Sequence, residues 1–180
     1  MQFEELRFIT QQAALDVVEK HARPLPPTVV LPGPARTLLL TLPALPDDDQ
    51  LRHEVLAELA AEHLTGDGVP CWGFVAEADV AGSDAVVAIF GARRHTPHVT
   101  AALFADDGSL DEFLAAEELD PTALPFLHPL QHAVDALPGA QDVFDRFDPK
   151  RAGPGGSVTQ PPAAEDEGPD GPTLLPMHPG

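Results

Sequence analysis

The sequence predicts an α+β fold, one antiparallel sheet of about five strands with helices packed on it. Three observations lead there. Apolar side chains recur at helical spacing in two stretches, each bounded by prolines or by acidic capping residues. The apolar runs between and after them are short, and the turns joining them leave no room for crossover helices. The composition then changes abruptly at Pro138. From there to Gly180 the chain holds 9 prolines and 7 glycines in 43 residues, too little apolar material to offset the entropy of ordering.

The first helix is expected over 3–22, with Phe3, Leu6, Ile9, Ala13, Val17 and Val18 along one side. Glu4 and Glu5 at its start and Lys20, His21 and Arg23 at its end suit the helix dipole. Pro24, Pro26 and Pro27 stop it. Thr28-Val29-Val30-Leu31 and Thr37-Leu38-Leu39-Leu40-Thr41-Leu42 flank a Pro-Gly-Pro turn and read as a hairpin. The second run is apolar on both faces, which predicts an inner or helix-covered strand. Asp47-Asp48-Asp49 supplies an N-cap for a second helix over about 48–64. Leu51, Val55, Leu59 and Ala60 are its expected buried stripe, with Leu56 and Leu64 at the margins.

Three strands follow, 69–78, 84–92 and 98–104, joined by Ala81-Gly82-Ser83 and by Arg93–Pro97 as an antiparallel meander. Asp106-Asp107-Gly108-Ser109 is a turn. A short helix is expected from Leu110 to about 117 and a last one over 129–137, with Pro129 in its first turn. The domain organisation is therefore 1–148 as the folded part and 149–180 as a disordered acidic tail. This order of elements is similar to that of roadblock-like and profilin-like domains, an analogy of topology that carries no activity. The stretch from the acidic helix through Trp72-Gly73-Phe74-Val75-Ala76-Glu77-Ala78 to Asp106-Asp107-Gly108 resembles small uncharacterised bacterial and phage proteins. That resemblance covers about 48–112 and implies the sheet, without a function.

Charge narrows the partners. The chain holds 29 Asp+Glu against 10 Lys+Arg, a net charge of -19. Such a field repels nucleic-acid phosphates and anionic membranes, and Arg93-Arg94-His95 is too small a patch to reverse it. Neither nucleic acid nor membrane is an expected partner. Residues 1–5 lack the basic and apolar regions of a secretory signal, and no apolar stretch is long enough for a membrane span, so a cytoplasmic location is expected. Abundant Ala, Pro and Asp with two lysines and no tyrosine point to a high-GC bacterial or phage genome.

Candidate chemistry is sparse. Cys71 is the only cysteine and lies in an apolar run, where it reads as a small buried hydrophobe. His95 and His98 flank a turn, and Asp79 or Asp84 reaching over from the neighbouring loop would complete a divalent-metal site. His128, His132 and Asp135 share helical spacing, but Pro129 stands where the metalloprotease pattern needs its glutamate. Glu54, Glu58 and Glu62 lie one turn apart, usually a solvated face. Glu77 interrupts an apolar strand, so it is expected to face a pocket or to pair with Arg93 or Arg94. No phosphate loop or serine elbow is present, and no cofactor is expected. Leu174, Leu175 and Met177 form an apolar motif at the end of the tail, suited to docking in a partner's groove. The sequence thus favours a non-enzymatic protein-binding or adaptor domain, with another protein or a second copy of itself as partner. A metal-dependent enzyme and an acidic mimic of nucleic acid are the alternatives.

Overall fold

The computed structural model describes residues 1–64 and 70–137. Helix α1 spans Phe3–Lys20, strands β1 and β2 Thr28–Leu31 and Leu38–Thr41, and helix α2 Asp49–His63. Strands β3, β4 and β5 follow at Cys71–Val80, Ser83–Ala92 and His98–Leu103, then a two-residue strand β6 at Glu117–Glu118. A 3-10 turn at Pro125–Leu127 runs into helix α3, His128–Ala136. All strands join one antiparallel sheet in the order β2-β1-β3-β4-β5-β6. The predicted α+β class and its hairpin-plus-meander sheet are therefore what the chain forms.

The sheet lies between two helical layers, because strand side chains alternate between its faces. One face presents Val29, Leu31, Trp72, Phe74 and Ile89 to α2, the 3-10 turn and α3. The other presents Val30, Val75 and Val86 to Ala13, Ala14 and Val17 of α1. Cys71, Phe90 and Ala92 continue that second face beneath Leu6 and Phe3. Trp72, Phe74 and Phe90 are all fully buried, each contributing about 1.5–3 kcal/mol or more.

Local chemistry sets the helix ends. The Asp48 carboxylate accepts the Leu51 N–H at 3.0 Å, capping α2. The Glu5 carboxylate reaches back to the Gln2 N–H at the start of α1. The hairpin between β3 and β4 turns on Ala81 and Gly82, both at positive φ, with Val80 opposite Ser83. That is the two-residue turn whose twist matches the strands it joins.

Four expectations need correction. The buried face of α2 is Leu56, Leu59 and Ala60, and Leu51 is half exposed. The stripe sits at i, i+3 and i+4 and packs with Phe126, Leu127 and Leu130 of the 3-10 turn and α3. Strand β2 is an edge and not the inner strand of the first alternative, since β1 takes the place between it and β3; Leu39 and Leu40 do pack against the clusters that the helices cover. The sheet has a sixth strand. It arises because 110–117 is not a helix: Asp111, Leu114 and Leu119 donate backbone N–H groups to Leu103, Ala101 and Pro97. That segment follows the outer edge of β5, whose carbonyls would otherwise be bare.

Two strand glycines set the spacing of the layers. A Cβ on Gly73 would lie 2.6 Å from Thr10 Oγ1 and 2.9 Å from its Cγ2, so α1 crosses the sheet where β3 carries no side chain. Thr10 is fully buried, and its hydroxyl donates to the Leu6 carbonyl within the helix. Gly91, on the opposite face, leaves room for the Trp72 indole. Gly73→Ala is expected to destabilise the fold by about 1–3 kcal/mol, as overpacking does. Adding Thr10→Ala should return part of that loss, a favourable coupling read from urea unfolding of the two single variants and the double.

Candidate functional site

Apart from Glu54, Glu58 and Glu62, which are exposed on α2, the polar residues that sequence reasoning singled out fall into three separate places. At one end of the sheet, Glu77 on β3 meets Arg23 from the α1–β1 connection. Arg23 Nε donates to Glu77 Oε1 at 2.8 Å and its Nη2 contacts the same oxygen. That Nη2 also lies 2.8 Å from Asp84 Oδ2, and the guanidinium stands 4.1 Å above the Phe104 ring. Glu77 Oε2 accepts the Leu25 N–H at 3.0 Å. Glu77 thus pairs with Arg23, not with Arg93 or Arg94 as its sequence suggested. Arg93 lies past the far end of β4, where its N–H donates to the Pro70 carbonyl. The partner was hidden because it is 54 residues away in sequence. The Arg23 hydrogen bond holds the Glu77 carboxyl below its ordinary value despite partial burial. The arrangement fastens the α1–β1 connection to the sheet and leaves the carboxylate fully engaged.

At the other end stand His95 and His98. Phe3 packs its ring 4.8 Å from His98 and 5.7 Å from His95, and Phe90 stacks on His98. His98 Nδ1 lies 2.9 Å from the Thr96 carbonyl, which places the proton on that nitrogen. The expectation that Asp79 or Asp84 would reach these imidazoles is corrected. Asp79 and Asp84 face each other beside the β3–β4 turn, and β4 separates them from His95 by about 25 Å of strand. Among the described residues, no group of three or more His, Cys, Asp or Glu is placed to hold one ion.

The third place joins α3 to the sheet. Trp72 Nε1 donates to Gln131 Oε1 at 3.1 Å, and Gln131 Nε2 donates to the Ala92 carbonyl and to Asp135. Asp135 accepts the Arg94 N–H at 2.7 Å. His128, part of the weighed His128–His132–Asp135 set, contacts the Pro121 carbonyl. Gln131 was not singled out from the sequence; the signal available was a buried tryptophan needing an acceptor. Cys71 lies under α1, 3.8 Å from the Met1 sulfur, and burial pushes its thiol up to about 12. It is a packing residue.

Apolar side chains also stand exposed among the described residues. Helix α1 turns Phe8, Gln11, Gln12 and Leu15 away from the sheet at i, i+3, i+4 and i+7 spacing. Phe8 is 61% exposed and Leu15 41%. A groove of about 280 Å³ runs beside this stripe, between Phe8, Ile9 and Asp16 on one side and Thr37, just before β2, and Leu39 on the other. A second, of about 440 Å³, lies between Arg7, Gln11 and Leu15 and the 111–115 segment, where Leu114 is 57% exposed. Sequence reasoning followed the buried stripe of this helix and passed over Phe8 and Leu15, whose seven-residue spacing was the signal. Leu174, Leu175 and Met177 lie outside the described residues.

Against known proteins, the chain matches no family model, no curated protein and no solved structure. Among the described residues, no helix is long and apolar enough to cross a membrane.

Two measurements test these placements. A carboxyl whose folded value is depressed binds fewer protons in the native state than in the unfolded one. Its stabilisation is present above about 4.5 and is lost as pH falls through the folded value. Glu77→Gln should therefore be less stable than the parent at pH 7, and the gap in urea midpoint should close towards pH 3. Cys71 should resist a disulfide-exchange reagent in the native protein at pH 8 and react fully in urea, followed by absorbance of the released thiol.

Proposed function

We propose that this chain is a non-enzymatic protein-binding domain whose docking surface is the outward face of α1. One observation carries the reading: Phe8 and Leu15 stand exposed on one helical stripe, with a groove on either side. Large apolar side chains rimmed by polar ones are the usual anchors of protein interfaces. The flanking grooves suit a partner helix or loop that inserts side chains beside the stripe. The net charge of -19 favours a partner with a basic surface, because opposite fields speed encounter. The ionisable groups support the same reading, since Glu77, Asp84 and Asp135 are engaged in bonds that hold the fold together. The apolar motif Leu174, Leu175 and Met177 is a second docking element in this proposal.

The test is capture from extract of the native host. Immobilised full chain should retain a protein that Phe8→Ser/Leu15→Ser loses by about tenfold or more, with near-ultraviolet circular dichroism showing that the variant folds. Retention should weaken as salt rises. A chain ending at Asp148 separates the two elements, because loss there alone assigns binding to the tail. Equal capture by parent and helix variant would overturn the α1 reading.

A further inference from the structure

The two edges of the sheet are treated differently by the chain. The β5 edge is covered by 111–119, which supplies N–H donors to the Leu103, Ala101 and Pro97 carbonyls. Strand β2, at the opposite edge, pairs with β1 on its inner side and has no strand on its outer side among the described residues. Natural sheets usually protect such an edge with charged side chains. Here the residues from Thr37 to Leu42 carry no charge, in a chain whose net charge is -19.

The hydrogen-bond parity of β2 follows from its neighbours. Leu42 donates its N–H to the Pro27 carbonyl, and Leu40 and Leu38 stand opposite Val29 and Leu31. Antiparallel bonding alternates along a strand, so Leu38, Leu40 and Leu42 turn their backbone groups towards β1. Thr37, Leu39 and Thr41 therefore direct N–H and C=O outward, away from the sheet. Pro43, next in that outward series, has no N–H to offer.

The outward edge is also self-complementary. Thr37-Leu38-Leu39-Leu40-Thr41 reads the same in both directions. A two-fold axis requires that residue i of one copy meet residue j of the other and j meet i. Run antiparallel about Leu39, two such strands set Thr37 against Thr41, Leu38 against Leu40, and Leu39 against itself. Threonine pairs and leucine pairs are favourable cross-strand neighbours.

We propose that β2 pairs antiparallel with β2 of a second copy of this chain, making one continuous sheet through a two-fold axis at Leu39. The outward groups of Thr37, Leu39 and Thr41 then form about six hydrogen bonds across the junction. On the α1 face, the two Leu39 side chains meet at the floor of the groove that Phe8 and Ile9 wall, so the grooves of both copies merge. On the other face, Leu38, 38% exposed in the single chain, is covered by Leu40 of its partner. The neutral strand is where two chains of like charge approach with least repulsion. This deepens the protein-binding reading by naming one partner, and purified protein alone tests it, so its failure is separate from failure of capture through α1.

Sedimentation equilibrium of the purified full chain is expected to give twice the 19.1 kDa of one chain. Association should tighten as salt rises, the opposite of docking to a basic partner, because screening relieves repulsion between the acidic copies. Leu39→Pro deletes an outward N–H and leaves the bonds of Leu38 and Leu40 to β1 in place. Leu38→Lys puts a charge on the edge at a site already open to solvent. Each should weaken self-association by about tenfold or more, with buried Trp72 fluorescence reporting an intact fold. Leu51→Lys, on the exposed side of α2, should leave it unchanged. Should Leu39→Pro fail to fold, Leu38→Lys decides. A parent chain that sediments as a monomer up to roughly 1 mM, or a dimer indifferent to a folded Leu38→Lys variant, overturns the proposal.

Discussion

The register of β3 against β4 is the constraint on which both helical layers depend. With Val80 opposite Ser83 and Cys71 opposite Ala92, Trp72 and Phe74 face α2 and α3 while Gly73 and Val75 face α1. A slip of one residue would exchange the two sets. The largest side chain of the core would then meet α1, at the point where even a Cβ leaves no space beside Thr10. Gly91 would no longer lie beside the indole it accommodates. The Ala81-Gly82 turn fixes the register locally, and the two glycines enforce it from above and below, so local and global preferences agree.

The polar contacts then act as fasteners at the margins of this apolar centre. Arg23, Glu77 and Asp84 hold the α1–β1 connection at one end of β3. Gln131 and Asp135 hold α3 at the other, by way of Trp72, the Ala92 carbonyl and the Arg94 N–H. Arg23, Glu77, Asp84 and Asp135 thus secure elements, while apolar side chains stand outward on α1 and along β2.

Most of the fold was legible in the sequence because its signals are local. Proline clusters ended α1 and bracketed β2, Asp48 marked the start of α2, and short turns forced β3, β4 and β5 into a meander. What was not legible depended on distant partners. The Arg23–Glu77 pair and the Trp72–Gln131 bond join residues far apart in sequence, and no periodicity announces them. Leu110 to 117 has the composition of a short helix, but the bare edge of β5 outcompetes so brief a helix for its backbone groups. The run Leu38-Leu39-Leu40 looked like a buried strand because apolar residues occupy both of its faces; its place at the margin was decided by β1 pairing with β3. For the candidate site, Phe8 and Leu15 were readable as a second stripe at helical spacing, overlooked because the buried stripe accounts for the helix by itself.

The place of β1 between β2 and β3 also has a consequence for synthesis on the ribosome. The β1–β2 hairpin emerges well before the strand that completes its inner side. Until Gly73 and Val75 clear the exit tunnel, β1 lacks the strand that pairs with its inner side. During that interval the nascent chain carries an apolar ribbon with both margins open, the kind of species that misassembles with its neighbours. Helices α1 and α2, made before β3, are the elements already available to shield its two faces.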